Sequence, residues 1–152
     1  MRLSAKADYA IRATAELAAA GPGAPVKAEQ IARAQRIPVK FLLNILAELK
    51  HARLVASQRG AEGGYLLARP AEEITLADVI RAVEGPLASV GDRRPEVLSY
   101  EGPAERLRDV WIAVRAGLRA VLEHVTLADL ASGELPEVVL APGRDSEAWL
   151  PH

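Results

Sequence analysis

The apolar positions change period several times along the chain, and each change marks an element. Residues 4 to 19 carry Tyr9, Ile11, Ala13 and Leu17 in a partly helical pattern, with Ser4 placed to cap the start and Gly21-Pro22-Gly23 to stop the helix. Residues 28 to 34 read as a short helix with Ile31 and Ala32 inward, after which Gln35-Arg36-Ile37 turns the chain into Pro38. A longer helix is expected over 38 to 51, since proline suits a first helical position where its missing N–H has no partner to lose. There Phe41, Leu42, Ile45, Leu46 and Leu49 keep the spacing of a buried face and leave Lys40, Asn44, Glu48 and Lys50 outside. The pattern then turns strand-like: residues 54 to 57 and 65 to 68 flank a turn that holds Gly60, Gly63 and Gly64.

A helix pair joined by a short turn and followed by a two-stranded hairpin is the pattern of a winged helix-turn-helix. Thr75, with Asp78 three residues on, opens a further helix that ends at Glu84 before Gly85-Pro86. Residues 85 to 102 show no sustained period and are expected as a loop. From 103 to 124 the longest helix is predicted, with Leu107, Trp111, Val114, Leu118, Val121 and Val125 forming a heptad-like stripe. Thr126-Leu127-Ala128-Asp129 repeats the capping pattern, Gly133 stops a short last helix, and residues 133 to 152 are expected to be irregular. The fold class predicted is mainly α with a small β-wing. A winged helix-turn-helix domain occupies 1 to 84, a loop 85 to 102, a dimerisation helix and short final helix 103 to 132, and a tail the rest.

Composition narrows the chemistry. The 152 residues suffice for one core of ordinary size with an extension, and a chain half apolar with six aromatic residues favours helices over a sandwich. No cysteine is present, which removes disulfides, thiolate zinc sites, cysteine-held iron–sulfur clusters and cysteine nucleophiles together. Lys6, Asp8, Arg12 and Glu16 interrupt the first twenty residues, so neither a signal-peptide core nor a membrane span is expected, and a cytoplasmic location is. The net charge of −1 conceals an asymmetry. Residues 1 to 84 hold twelve Lys/Arg against nine Asp/Glu, and residues 26 to 69 alone hold eight against three, whereas residues 85 to 152 hold seven against eleven. Such a split lets the N-terminal part meet phosphates while the rest repels them, although ordinary surface variation also produces it.

The helix over 38 to 51 is the candidate for reading a DNA major groove, with Pro38, Val39, Lys40, Phe41 and Asn44 at its leading end. Lys40 suits a phosphate or guanine and Asn44 an adenine edge or phosphate oxygen; both also read as solvated surface residues. In the hairpin, Gln58, Arg59, Gly60, Gly63, Gly64 and Tyr65 are candidate contacts, Arg59 suiting a narrow minor groove, unless the glycines only make the turn. Arg2, Ser4 and Lys6 can reach phosphate as the first helix begins, although Ser4 serves equally as a cap. The stripe Leu107, Trp111, Val114, Leu118, Val121 and Val125 is read as a homodimer interface, the other reading being intramolecular core. Catalytic motifs are lacking: His51, His124 and His152 lie far apart, with no phosphate-binding glycine loop, nucleophile elbow or metal-ligand spacing, so no enzyme activity, metal or cofactor is expected.

With MRLSAKADYAIRA, IPVKFLLNILAELKHARLV, QRGAEGGYLLARP and EEITLADVIRAVEG in order, the chain resembles the Rrf-type winged-helix regulators, the group of IscR, NsrR and CymR, over about residues 1 to 132. The resemblance implies a winged helix with a long crossing dimerisation helix and binding of double-stranded operator DNA, usually as a repressor. Cluster-binding members carry three cysteines in the loop that here reads GPLASVGDRRPEVLSYEGPAERLRD, and all three are missing. Lys27 replaces the usual Ser or Thr at the helix-turn-helix opening, and Arg53 stands where a helix-ending glycine is common. The signal sensed is therefore left open between a small molecule, a protein effector and none. The alternative from another class is an interaction module that modulates a related regulator without reading DNA itself.

Overall fold

The structure is a computed structural model that describes residues 2–152. In order along the chain it has helices α1 (Ala5–Ala20), α2 (Ala28–Gln35) and α3 (Val39–His51), strands β1 (Val55–Gln58) and β2 (Gly64–Leu67), then helices α4 (Leu76–Glu84), α5 (Leu107–Leu122), α6 (Leu127–Ser132) and α7 (Glu137–Gly143). It is mainly helical with a two-stranded antiparallel wing, as the sequence pattern predicts.

Helix α1 is the spine. Ser4 caps it, its Oγ accepting from the Ala7 N–H at 3.0 Å, and Gly21 ends it at φ 87°. Its buried face is small, Ala7, Ala10, Ala13 and Thr14 with Leu17, so α3, α4 and α6 approach closely. The buried Thr14 hydroxyl is satisfied by the Ala10 carbonyl at 2.9 Å. Around this spine Ile31, Leu42, Leu46, Leu49, Ile74 and Leu127 are buried, each such side chain contributing about 1.5–3 kcal/mol of apolar burial.

On α3 the inward residues are Leu42, Ile45, Leu46 and Leu49; Phe41, placed on the buried face by its spacing, is 63% exposed. The helix turns 100° per residue, so with Leu42 and Ile45 centred on the core Phe41 falls outside the stripe. Pro38 stands one position earlier than expected: at ψ 126° it is the extended cap, and its carbonyl accepts from the Leu42 N–H at 3.0 Å.

The wing pairs Val55 with Leu67 through Gln58 with Gly64. A third segment joins it, as Val26 and Tyr65 exchange two backbone hydrogen bonds of 2.8 Å just before α2 begins.

Helices α4 and α6 open with the same sequence, Thr-Leu-Ala-Asp, and each forms a complete capping box: Thr75 with Asp78 and Thr126 with Asp129. The two starts are tied together, the Leu76 N–H to the Val125 carbonyl and the Leu127 N–H to the Ile74 carbonyl, both at 2.9 Å. Two expectations change here. Val125 does not continue the α5 stripe; it lies past the helix end, 2% exposed in the core. The core also runs beyond residue 84, because Val125 and Leu127 complete it.

Helix α5 starts later than 103 because Gly102–Ala104, with Pro103, forms a separate 3₁₀ turn. The 85 to 102 segment is anchored by Leu87, Pro95 and Leu98, all buried. Where an irregular tail was expected, α7 and a turn at Ser146–Trp149 follow, the Trp149 Nε1–H donating to the Gly143 carbonyl at 2.7 Å. Among the described residues no helix is long and apolar enough to cross a membrane.

Candidate nucleic-acid interface

The outer face of α3 carries Lys40, Asn44 and Glu48 four residues apart, all away from the core. Beside them Val39, Phe41 and Leu43 are 42%, 63% and 44% exposed. An isolated exposed apolar residue is ordinary. Three in the first turn and a half of one helix, next to a lysine and an amide, make a surface able to meet thymine methyl groups and base edges.

The start of α1 lies beside this face, because Lys6 Nζ pairs with Glu48 Oε2 at 2.8 Å. Lys6 is thus half neutralised. Ser4 is committed twice, as the cap of α1 and as a donor to Glu84 Oε1, which leaves it little capacity for phosphate. Arg2 is exposed and lies at the mouth of a cavity with Trp111 and Leu118, away from the wing.

In the wing Gln58, Arg59 and Gly60 are exposed and form the outer tip. Gly60 has φ 106° and open space where a Cβ would stand. Gly63 and Gly64 do a different job. A Cβ on Gly63 would lie 2.1 Å from the Gln58 carbonyl oxygen, and one on Gly64 2.6 Å from that of Val26. Both glycines permit close backbone approach inside the hairpin, and Gly63 is buried. Tyr65 is half-buried and packs on the core.

Charge pairing separates this surface from the rest. Of the eight cations in residues 26 to 69, only Arg69 forms an ion pair among the described residues, to Asp78 at 3.7 Å. Lys27, Arg33, Arg36, Lys40, Lys50, Arg53 and Arg59 are all exposed and carry no acidic partner. In the C-terminal part, by contrast, five of the seven arginines, Arg106, Arg108, Arg115, Arg119 and Arg144, pair with acids, and Arg93 and Arg94 do not among the described residues. Five of these seven are not among the contacts expected from sequence, and the backbone marks two of the five: Arg36 between α2 and α3 and Arg53 after α3 hold left-handed conformations, φ 54° and 61°. The signal available in sequence was the excess of basic residues in this stretch.

On α5, Leu107, Trp111, Val114 and Leu118 are half-buried. The last three face a cavity of about 460 Å³ shared with Ala7, Ile80 and Leu87, and the Trp111 Nε1–H donates to the Tyr100 hydroxyl at 3.2 Å. The open side of the helix shows Val110 and Val121, 51% and 37% exposed, with Ala113 and Gly117 between them.

Comparison with known proteins matches residues 3–133 to the Rrf2 family profile, described as an iron-dependent transcriptional regulator. The chain is 54% identical over 148 residues, 97% of its length and 92% of the relative's, to a Mycobacterium tuberculosis (strain ATCC 25618 / H37Rv) protein provisionally named HTH-type transcriptional regulator Rv1287. It is 38% identical to HTH-type transcriptional regulator CymR of Bacillus subtilis (strain 168), covering 87% of this chain and 91% of CymR. The solved structure of CymR, the global cysteine regulator of B. subtilis, superposes with a TM-score of 0.74, spanning 88% of this chain and 98% of that one at 37% identity. The iron of the family description finds no matching donors here. There is no cysteine, and among the described residues no three His, Asp or Glu converge where they could hold a metal ion.

Proposed function

The chain belongs to the Rrf2 family of helix-turn-helix transcriptional regulators, and on that premise we propose that it binds operator DNA in the cytoplasm as a homodimer and acts as a repressor, without an iron–sulfur cluster. The observation that carries this reading is the set of seven exposed, unpaired cations around α3 and the wing, on a chain whose other arginines are mostly neutralised. Lys40, Arg36 and Arg53 reach backbone phosphates on either side of the groove that α3 enters. Asn44 and Phe41, with Pro38 and Val39 at the helix start, face base edges. Arg59, flanked by Gln58, serves the minor groove.

Two copies meet through α5. Its open side, Val110, Ala113, Gly117 and Val121, has the three-and-four spacing of a helix-crossing seam, while Leu107, Trp111, Val114 and Leu118 back it from the half-buried side. Two-fold pairing sets two recognition helices for two half-sites. Repression then follows from occupying the promoter.

The test is selection of bound fragments from a random DNA pool, followed by a salt titration of the selected site. Sequence-selective binding that weakens roughly 10³-fold or more between about 50 and 200 mM salt is expected for six or more phosphate contacts across the dimer. Binding without sequence preference, or none at all, favours the interaction-module alternative and sinks this reading.

A further inference from the structure

A second cationic group lies outside α3 and the wing. Arg81 near the end of α4, Arg94 before the turn at Pro95–Val97, and Arg115 and Arg119 one turn apart on α5 line one cleft of about 490 Å³ walled by Pro86 and Leu87. Two carboxylates answer these four guanidiniums. Glu123 accepts from both Arg81 and Arg119 on one oxygen, the latter at 3.0 Å, and Glu96 accepts from Arg115. Hydrogen bonds hold both carboxyls below the usual glutamate range, from its own turn's backbone and then Arg115 for Glu96, and from Arg81 and then Arg119 for Glu123. Both are therefore charged at neutral pH, and two positive charges remain in excess.

The hydrogen-bonding capacity is in larger excess still. Each guanidinium offers five N–H donors, yet in this cleft the carboxylates engage only one apiece from Arg81, Arg115 and Arg119. Arg94 has no ion pair among the described residues. Arg94 is exposed at the edge of the cleft, and the cleft stays open between the four guanidiniums.

We propose that this cleft is an effector site for a small molecule bearing a dianionic oxyanion group, a phosphoryl group or paired carboxylates. Arg94 and Arg119 provide the first contacts, and Arg115 and Arg81 hold the site's shape through Glu96 and Glu123. Fork-shaped guanidiniums match such oxygens two at a time. The cleft joins α4, which packs in the DNA-reading core, to α5, which lies outside it, so an occupant shifts the angle between them and is coupled reciprocally to operator affinity. That consequence, though not the site itself, rests on the proposed function.

Calorimetric titration of the DNA-free full chain with inorganic pyrophosphate and, separately, with malonate tests the site against sodium chloride of equal ionic strength. Saturable binding of either is expected, and which of the two binds identifies the phosphoryl or the dicarboxylate class. Arg94→Gln and Arg119→Gln should each weaken it at least tenfold with unchanged thermal unfolding. No binding beyond the chloride control, or binding that survives both substitutions, overturns the proposal. So does a loss of operator affinity by the two variants in anion-free buffer equal to that of Lys40→Ala, which would make these arginines DNA contacts. Because the titration contains no DNA, failure of operator recognition leaves it intact.

Discussion

Arg36 and Arg53 hold left-handed backbone angles that cost a residue with a Cβ about 1 kcal/mol, and both flank α3, the proposed recognition helix. On the proposed function each offers a charge there where glycine would relieve the strain. Arg53→Gly should therefore raise stability by up to about 1 kcal/mol in thermal unfolding and still weaken DNA binding evenly across sequences, lowering the salt slope by about two, one contact from each protomer of the proposed dimer. An unaltered slope removes Arg53 from the interface. Asn44→Ala should behave differently, costing about 1–3 kcal/mol on the selected operator and relaxing preference at one base pair, visible when mutated sites are compared. Inside the wing, Gly63→Ala should destabilise by about 1–3 kcal/mol because the Gln58 carbonyl occupies the space a methyl needs, whereas Gly60 at the tip has open space there. At this scale the sequence is legible for the exposure of Lys40, Asn44 and Arg59, while for Gly63, Gly64 and Tyr65 it leaves a turn or packing role beside a DNA contact, and the structure shows the close packing. Glycine is selected alike by a contact to DNA and by a tight hairpin, and only the positions of Gln58 and Val26, distant or adjacent in sequence, separate the two.

Helices α4 and α6 begin from one shared knot, Thr75 beside Thr126, so a cap lost on either loosens the same junction. Thr126→Ala should cost about 1 kcal/mol in urea denaturation and Leu127→Ala about 2–5 kcal/mol, each within a single transition that includes the wing. Separate transitions would mean that α6 folds apart from the DNA-reading core. The end of α5 is tied by charge as well. Glu123, held below the usual glutamate range by Arg81 and then Arg119, favours the folded chain only while ionised. Its contribution is complete above the unfolded pKa and disappears as pH falls through the folded one. The stability gap between the wild type and Glu123→Gln should accordingly close below about pH 4. Helix starts were legible wherever a side chain caps them, at Ser4, Thr75 and Thr126. They were not at Leu107, where Gly102 and Pro103 make a turn that apolar spacing does not register, nor at Val125, whose spacing continues a stripe that the chain has already left.

For the molecule as a whole, the proposed assembly turns on the open side of α5. Gly117→Glu combined with Ala113→Glu places four carboxylates in the proposed two-fold seam and should give a folded monomer by sedimentation, with operator affinity reduced by far more than either cation substitution at α3. A dimer that persists moves the seam elsewhere. Family and architecture were readable before any coordinates, because the helix pair, the wing glycines and the Thr-Leu-Ala-Asp caps all lie in short continuous stretches. The arginine cleft was not, since its members are separated by as many as 38 positions and meet only when α5 returns. That return has a further meaning. The chain leaves the reader at Gly85 and re-enters it at Val125, two points closed off by the Arg81–Glu123 pair and the backbone knot behind it. The intervening stretch is held at its base by these ties and by Leu87 and Leu122, which pack against Ala7 and Ile80. Three guanidiniums of the proposed effector site, Arg94, Arg115 and Arg119, belong to that stretch and the fourth, Arg81, to α4, so on that proposal a ligand held there bridges the base of the stretch.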